Sequence, residues 1–256
     1  MSRTKVQVLI AFLSVALLGS LAANFVGFRA CKAFYTRLQV AKLDPLGLLA
    51  ASNLERKVLS NEATESATLL FFGDSRARQW AAMAPPEGHH CINGGINDQT
   101  TEQIAERFKA QILTIHPEFL VIQMGINDLK AIPLLEARKE RIVQRCKENI
   151  DRILRAALTQ ECDVILTTVF PLGQLPLSRR LVWSEDVASA IDEVNDYIQS
   201  LGAERVHIMD TKKVLAGDDG VIKRGYSRDF LHLNEGAYEA LNVELMAMIE
   251  EIRLKS

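Results

Sequence analysis

The chain has 256 residues, 48% of them hydrophobic, which is enough for one domain of ordinary size with a buried core. Its 30 basic and 32 acidic residues nearly cancel, so no large positive field suggests a nucleic acid as partner. The chain shows no repeat at a period of about 20–50 residues and no low-complexity stretch.

The N-terminal segment differs from the rest of the chain because residues 6–28 are predominantly apolar and carry no charge. A bilayer core takes roughly 20 helical residues, so this segment is long enough to span a membrane. It is either an uncleaved anchor or a cleaved signal peptide, with Ser20-Leu21-Ala22 and the alanine that follows as the cleavage site. The apolar stretch exceeds the roughly 7–15 residues of a signal-peptide core, which favours the uncleaved anchor.

The charges on either side of this segment do not agree on its orientation. Arg3 and Lys5 precede it and Arg29, Lys32 and Arg37 follow it, so charge counting alone places the following domain in the cytoplasm. Long domains, however, cross membranes largely regardless of charge. A short basic head before an N-terminal span is also the usual export geometry. We therefore expect the rest of the chain to be exported, to the periplasm or the outside of the cell.

After a connector at residues 29–66, short apolar runs alternate with segments that have apolar residues at helical spacing. The predicted strands are residues 67–72, 90–93, 119–124, 164–169 and 206–209. The predicted helices are residues 46–59, 76–83, 100–112, 134–158, 184–201 and 234–253. This alternation is typical of an α/β fold in which helices cover both faces of a parallel sheet.

Three polar segments come directly after predicted strands, at the sheet edge where ligands bind in open parallel sheets. They are Gly73-Asp74-Ser75, the loop 93–101, and Gly125-Ile126-Asn127-Asp128. A fourth polar segment, Asp229-Phe230-Leu231-His232, lies in a predicted loop before the last helix. Together they supply a hydroxyl nucleophile, donors for an oxyanion, and a base with a nearby carboxylate, which acyl transfer requires.

Each of these segments has a chemical interpretation and an ordinary one. Ser75 lies where a strand gives way to a helix, whose N-terminal amides stabilise a developing anion. His232 is a candidate to take the Ser75 proton, with Asp229 on its other ring nitrogen to fix the tautomer. Asn127 and a main-chain N–H of the glycine-containing loop 93–101 are candidate oxyanion donors. The ordinary interpretations are a helix N-cap for Ser75 and plain turn or loop residues for the others.

The four segments resemble the conserved blocks of the SGNH hydrolases, also called GDSL-type esterases and lipases. The resemblance covers residues 67–255 and implies a flavodoxin-like, three-layer α/β/α sandwich with a five-stranded parallel sheet. It implies that Ser75 is the nucleophile, His232 the base and Asp229 its partner, with no metal or organic cofactor. It also implies that Asn127 and the Ser75 N–H donate to the oxyanion.

The chain departs from the family pattern at two positions. The fourth residue of the first block is usually Leu and is Arg76 here, at a position that often varies. In the second block many members use the main-chain N–H of a Gly, and one register places Asp98 there while the other places Gly95. An Asp side chain next to an oxyanion is unfavourable unless it points away, so we expect Gly95 to be the donor.

The resulting expectation is a serine ester hydrolase that acts on a carboxylic ester through an acyl-enzyme. Its substrate is an O-acetyl group on an envelope glycan or a lipid acyl ester, because a membrane tether holds the enzyme near both. Two alternatives stay open: transfer of the acyl group to a glycan hydroxyl by the same site, and a non-catalytic binding module held at the membrane. Residues 1–28 are then the anchor or signal, 29–66 the connector and 67–256 the catalytic domain.

Several residues outside the four segments have two interpretations. Four arginines either favour an anionic substrate or belong to the solvated surface: Arg76, Arg78, Arg179 and Arg180. Trp80 and Trp183 either line the mouth of the site or pack in the core. Cys91, Cys146 and Cys162 lack metal-ligand spacing and are interpreted as small buried residues. An exported domain can form one disulfide, but the sequence does not fix its pairing.

Overall fold

The structure is a computed structural model that describes residues 2–43, 45, 68–180 and 183–255. The chain divides into two compact units, Met1–Pro45 and Leu46–Ser256. The helix predicted at residues 46–59 lies outside the described residues, as does residue 67 at the start of the first predicted strand.

The first unit is a single helix, α1 (Arg3–Leu43). Its stretch Arg3–Gln39 is long and apolar enough to cross a membrane, by length and composition. The anchor predicted at residues 6–28 lies within α1, but the helix continues past residue 28 into the predicted connector. At 1.5 Å per residue α1 is roughly 60 Å long, about twice the thickness of a bilayer core, so only part of it fits within one.

The described part of the second unit contains a five-stranded parallel sheet in the order β2-β1-β3-β4-β5. The strands are β1 (Thr68–Gly73), β2 (His90–Gly95), β3 (Phe119–Gln123), β4 (Asp163–Thr167) and β5 (Val206–Met209). All five predicted strands are therefore confirmed, with ends that differ by a few residues. Strands of such a sheet are covered on both faces, which is why they read as continuous apolar runs.

Helices cover both faces of this sheet. They are α2 (Ser75–Met83), α3 (Thr101–Ile115), α4 (Ile126–Leu129), α5 (Lys139–Ala157), α6 (Leu177–Arg180), α7 (Asp186–Gln199), α8 (Thr211–Leu215) and α9 (Glu235–Lys255). Side chains of α3, α5 and α7 share one core with the sheet, and side chains of α2, α8 and α9 share the other. The second unit is the three-layer α/β/α sandwich that the sequence predicts.

Strand β1 shows how one apolar run fills two cores. Leu70 and Phe72 are fully buried on the face covered by α3, α5 and α7. Leu69 and Phe71 are fully buried on the opposite face, where the ring of Trp80 from α2 lies 5.3 Å from the Phe71 ring. Successive side chains of a strand point to opposite faces, so an uninterrupted apolar run places apolar side chains in the cores on both sides of the sheet.

The helix predicted from residue 134 begins later, at Lys139. Two short 3₁₀ turns, Ile132–Leu134 and Glu136–Arg138, occupy the preceding residues. The backbone of Leu135 between them is not helical, with φ −136° and ψ 40°, so the apolar periodicity continues across a break in the backbone.

The starts of α7 and α9 depend on local hydrogen bonds. Ser184, predicted as the N-cap of α7, accepts the Asp186 N–H at 3.1 Å, but α7 begins at Asp186 and Glu185 is the residue before it. Asn234 caps α9 as predicted, because its Oδ1 accepts the N–H of Ala237 at 3.1 Å. Side-chain capping thus fixes the helix that follows the His232 loop.

The four cysteines are free. Cys146 and Cys162 are buried, as predicted, whereas Cys91 is half-buried and Cys31 is exposed on α1. Burial raises the pKa of the Cys91 and Cys162 thiols to about 11, so neither is a reactive thiolate at neutral pH.

Candidate active site

Ser75 is the first residue of α2, at the carboxyl end of β1. The N-cap of this helix is Asp74, whose Oδ1 accepts the Arg76 N–H at 2.8 Å. The Ser75 hydroxyl is therefore not needed as a cap, which was its ordinary interpretation. Burial raises the pKa of Asp74 to about 6, although the Arg76 charge and N–H act in the opposite direction.

The turn between β1 and α2 depends on Gly73. Its φ is +148°, and a Cβ at this position would lie 1.8 Å from the main-chain oxygen of Gln123 in β3. No side chain fits into that space, so the end of β1 can approach β3 closely only with glycine here. The same Gln123 oxygen accepts the N–H of Asp74 at 3.2 Å, which anchors the turn that carries Ser75.

Three side chains form a chain of hydrogen bonds at this edge of the sheet. The Ser75 Oγ lies 3.3 Å from His232 Nε2, and His232 Nδ1 lies 2.9 Å from Asp229 Oδ2. An ionised carboxylate only accepts hydrogen bonds, so the proton of the neutral imidazole belongs on Nδ1. His232 Nε2 is then free to accept the Ser75 proton. The structure thus brings together the three residues that the sequence predicts as nucleophile, base and partner.

The Asp229 carboxylate also holds the loop that carries His232. Its Oδ1 accepts the N–H groups of Leu231 and His232, both at 2.8 Å. Burial alone would raise the pKa of Asp229, but these hydrogen bonds and the one from the His232 ring outweigh it and lower that pKa. Asp229 is therefore ionised at neutral pH, as a partner for an imidazolium must be.

Asn127 lies on the short helix α4, directly beyond β3, and is 7% exposed. Its Nδ2 donates to the main-chain oxygen of Gln99 at 2.9 Å. An amide nitrogen carries two hydrogens, so one of them is still available to a second acceptor. Gly125, with φ +113°, begins α4, and a Cβ there would lie 3.0 Å from Val169. Glycine thus lets the chain turn sharply enough to place Asn127 at the sheet edge.

Asp128 ties the loops after β2 and β3 together. Its two carboxylate oxygens accept the Thr101 N–H and the Thr101 hydroxyl, both at 2.8 Å. Burial raises the pKa of Asp128 to about 6, against the effect of these hydrogen bonds. Asp128 thus fixes the start of α3 relative to its neighbour Asn127.

Gly95, expected as the second-block oxyanion donor, does not fit that role. Its N–H already donates to Asn93 Oδ1 at 3.1 Å. A Cβ at Gly95 would lie 2.2 Å from the Arg78 nitrogen, so the glycine is needed for close packing of β2 against α2. Gly95 is thus a packing residue at the end of a strand, and its N–H already has an acceptor, which favours the other register for the donor.

Asp98 has the geometry that the alternative register requires. Its φ is +62°, in the left-handed region that favours glycine. Its side chain is 88% exposed and pairs with Lys130 at 3.3 Å. The carboxylate therefore points into solvent, which removes the objection that led us to prefer Gly95.

The arginines and tryptophans divide between core and surface. Arg76 and Trp80 are fully buried, so neither lines the mouth of the site. Trp80 donates its indole N–H to Asn242 at 2.7 Å, which satisfies its polar atom inside the core. Trp183 is half-buried, with its ring 5.3 Å from that of Phe230 and edge-on to it. Arg78 and Arg179 are exposed, and the side chain of Arg180 lies outside the described part of the chain.

Two surface cavities reach residues of this site. One, of about 870 Å³, is lined in part by Asp229 and Phe230. The other, of about 950 Å³, is lined in part by Asn127 and by Arg138 and Arg141. Within the described ranges, no cluster of three His, Cys, Asp or Glu side chains is suited to hold a metal ion.

The sequence of this chain matches the GDSL-like lipase/acylhydrolase family over residues 64–240, which is more than half of its length. The chain belongs to this family. It is therefore an ester hydrolase of the serine esterase type, as its polar segments predict.

Several other proteins are similar to this family member. The uncharacterized lipoprotein YqeF of Bacillus subtilis is 31% identical over 100 residues, which is 38% of this chain and 40% of that protein. A GDSL-like lipase from Bacteroides thetaiotaomicron has a TM-score of 0.61 at 19% identity, covering 80% of this chain and 98% of its own. A carbohydrate acetylesterase family member from Sinorhizobium meliloti has a TM-score of 0.52 at 15% identity, and the match covers 73% of this chain and 98% of that protein. At these identities the two structures show a shared fold.

Proposed function

We propose that this esterase cleaves a carboxylic ester by double displacement at Ser75. The observation that carries the proposal is the continuous arrangement of Ser75 Oγ, His232 and Asp229, with spacings of 3.3 Å and 2.9 Å. His232 Nε2 takes the hydroxyl proton as Ser75 Oγ attacks the ester carbonyl, and then gives that proton to the departing alcohol. Water, deprotonated by the same nitrogen, then attacks the acyl carbon. The bond from that carbon to Ser75 Oγ breaks, His232 returns the proton to Oγ, and the carboxylic acid leaves.

Three donors are proposed for the oxyanion. The Ser75 N–H lies in the first turn of α2, where helical N–H groups have no partner within the helix. The second donor is the Asn127 Nδ2 hydrogen that is not used by Gln99. The third is the main-chain N–H of Asp98, in place of Gly95, because of its left-handed backbone and its outward side chain. A non-glycine residue suits this role since only the amide is used.

Asn127→Ala is expected to lower kcat by about 10²–10³, because one preorganised oxyanion donor is lost in the transition state. The measurement is steady-state hydrolysis of p-nitrophenyl acetate by the full chain in detergent. Asn242→Ala is the matched control. The Asn242 amide also donates to a main-chain oxygen, that of Ala84 at 2.9 Å, but it lies next to the core shared by α2, α8 and α9. A loss below threefold in Asn127→Ala would leave Asn127 as a turn residue only.

The substrate is proposed to be an O-acetyl group on an envelope glycan or a lipid acyl ester. Two observations support this class: α1 contains a candidate membrane span, and a structure of similar fold belongs to a carbohydrate acetylesterase family. We further propose residues 1–28 as the anchor, 29–66 as the connector and 67–256 as the exported catalytic domain. The relative YqeF is a lipoprotein, which agrees with placement at a membrane.

Labelling with a fluorophosphonate probe tests the proposal without knowledge of the substrate. An activated serine attacks the probe's phosphorus and retains the adduct, which peptide mapping then locates. We expect one modified residue, Ser75, and protection of that residue by prior incubation with an acetyl ester. Two results would contradict the proposal that Ser75 is the nucleophile. One is folded protein in which Ser75 is not labelled, and the other is equal labelling of Ser75 in folded and in heat-unfolded protein.

A further inference from the structure

Arg76, the residue that follows Ser75, is buried although it carries a charge. Its side chain is 0% exposed, and its guanidinium lies 5.3 Å from the centre of the Phe170 ring. Placing a charge in the core is costly unless it is paired and hydrogen-bonded. The position therefore needs an explanation beyond the surface role that its residue type suggests.

The guanidinium of Arg76 joins two distant segments to the turn that carries Ser75. Its Nε donates to the main-chain oxygen of Leu231 at 2.9 Å. Its Nη1 donates to the main-chain oxygen of Phe170, beyond β4, at 3.1 Å. Leu231 directly precedes His232, so one side chain connects the backbone next to the nucleophile with the backbone next to the base.

The loop that carries His232 is also held by apolar packing, since Leu231 packs against one core and Leu233 is buried in the other. Asp229 in this loop is exposed and His232 is half-buried. A main-chain bond from the Gly173 N–H to the Phe230 oxygen, at 2.9 Å, is a second tie and reaches the same segment beyond β4. The planar guanidinium fixes both of its acceptors in one geometry, which a flexible side chain does not.

Burial and the neighbouring charges act on the pKa of Arg76 in opposite directions. Burial lowers the pKa of Arg76, while the nearby Asp74, Tyr238 and Asp229 act to raise it. Asp74 and Asp229 belong to the same turn and loop as Ser75 and His232. The charges of these two carboxylates thus act on Arg76, while its own hydrogen bonds go to the main-chain oxygens of Leu231 and Phe170.

We propose that Arg76 is a positioning residue that sets the distance and direction of His232 relative to Ser75. The proposal rests on the proposed roles of Ser75 and His232. Arg76 touches neither the substrate nor the reacting atoms. It acts by holding the Leu231 carbonyl, so that Nε2 of His232 stays within reach of the hydroxyl.

Arg76→Met tests this proposal, because methionine keeps an unbranched side chain close to the length of the arginine stem but donates no hydrogen bond. A small displacement of a catalytic group costs about 10²-fold in rate, so we expect kcat for p-nitrophenyl acetate to fall roughly 10–100-fold. KM should stay within about threefold of the native value, since the variant leaves substrate contacts intact. The rate of fluorophosphonate labelling at Ser75 should fall in parallel with kcat.

Stability separates positioning from general damage. Arg76→Met leaves the Leu231 and Phe170 oxygens without their donor, and it removes the positive charge beside Asp74, so its Tm should fall. The rates are therefore compared at a temperature at which both proteins are folded. Arg76→Lys, which keeps the charge but lacks the fork, should recover only part of kcat. Arg78→Met is the matched control, because Arg78 is exposed on the same helix. This variant should keep the native kcat.

Each outcome decides the proposal. Native kcat and labelling rate in folded Arg76→Met would overturn it, as would a KM increase with unchanged kcat. If Arg76→Met does not fold, Arg76→Lys decides alone: reduced kcat at native KM and Tm supports positioning, and native kcat overturns it. Full activity of Ser75→Ala would instead refute the proposed function, so the two failures are distinguishable.

Discussion

Ser75→Ala is expected to lower kcat for p-nitrophenyl acetate by at least about 10⁴-fold, because removal of a catalytic nucleophile leaves only binding and oxyanion stabilisation. The fold should be unaffected, since Asp74 rather than Ser75 caps α2. The hydroxyl makes its hydrogen bond to His232, at 3.3 Å, and that bond is partly buried. The measurement is steady-state hydrolysis by the full chain, together with the Tm of both proteins.

Ser189→Ala is the control for this variant. Ser189 also lies in the N-terminal part of a helix, α7, where its hydroxyl donates to the Asp186 oxygen at 3.1 Å. Loss of that hydroxyl should leave kcat unchanged. If Ser75→Ala keeps more than about a hundredth of native turnover, another nucleophile or an activated water does the chemistry, and the acyl-enzyme route is wrong.

The sheet and its active edge could be predicted because local sequence carries the information. Five apolar runs give five strands, and parallel strands place their carboxyl ends along one edge. Ser75 and Asn127 follow β1 and β3, which are neighbours in the sheet, so their proximity follows from topology alone. The family blocks then extended this prediction to His232, whose segment is a loop without a periodic pattern.

Long-range packing decides the features that sequence patterns missed. Residue type places Arg76 at the surface or near an anionic substrate and leaves Trp80 between the mouth of the site and the core, yet both are buried by contacts with residues distant in the chain. No local pattern distinguishes a buried arginine from an exposed one.

The choice between Gly95 and Asp98 shows a different limit. Glycine is expected wherever the backbone needs a left-handed conformation, and aspartate is among the few other residues that adopt it. Gly95 is instead needed for the close approach of β2 to Arg78, a packing requirement that only the folded structure reveals. Residue type therefore favoured Gly95, whereas the backbone conformation supports the proposal of Asp98, which the other register already offered.

Asp229→Asn is expected to lower kcat by about 10³–10⁴, through the tautomer of His232 rather than through the fold. In the native chain Asp229 Oδ1 accepts the N–H groups of Leu231 and His232, both at 2.8 Å. Asn keeps an Oδ1 that can accept the same two groups, so the loop keeps its turn. Its NH₂ group replaces the Oδ2 that faces His232 Nδ1 at 2.9 Å. A donor there favours the proton on Nε2, where it blocks acceptance of the Ser75 proton.

The size of this effect depends on how well water substitutes for the carboxylate. The side chains of His232 and Asp229 are 26% and 44% exposed, so solvent screens part of the interaction, and we expect a smaller loss than for Ser75→Ala. Asp219→Asn is the matched control, because Asp219 Oδ1 also accepts an N–H two residues on, that of Val221 at 3.0 Å. A loss below about tenfold in Asp229→Asn, with native activity in the control, would mean that Asp229 shapes the loop without setting the tautomer. In that case the turn hydrogen bonds, which the variant preserves, would be the whole contribution of this residue.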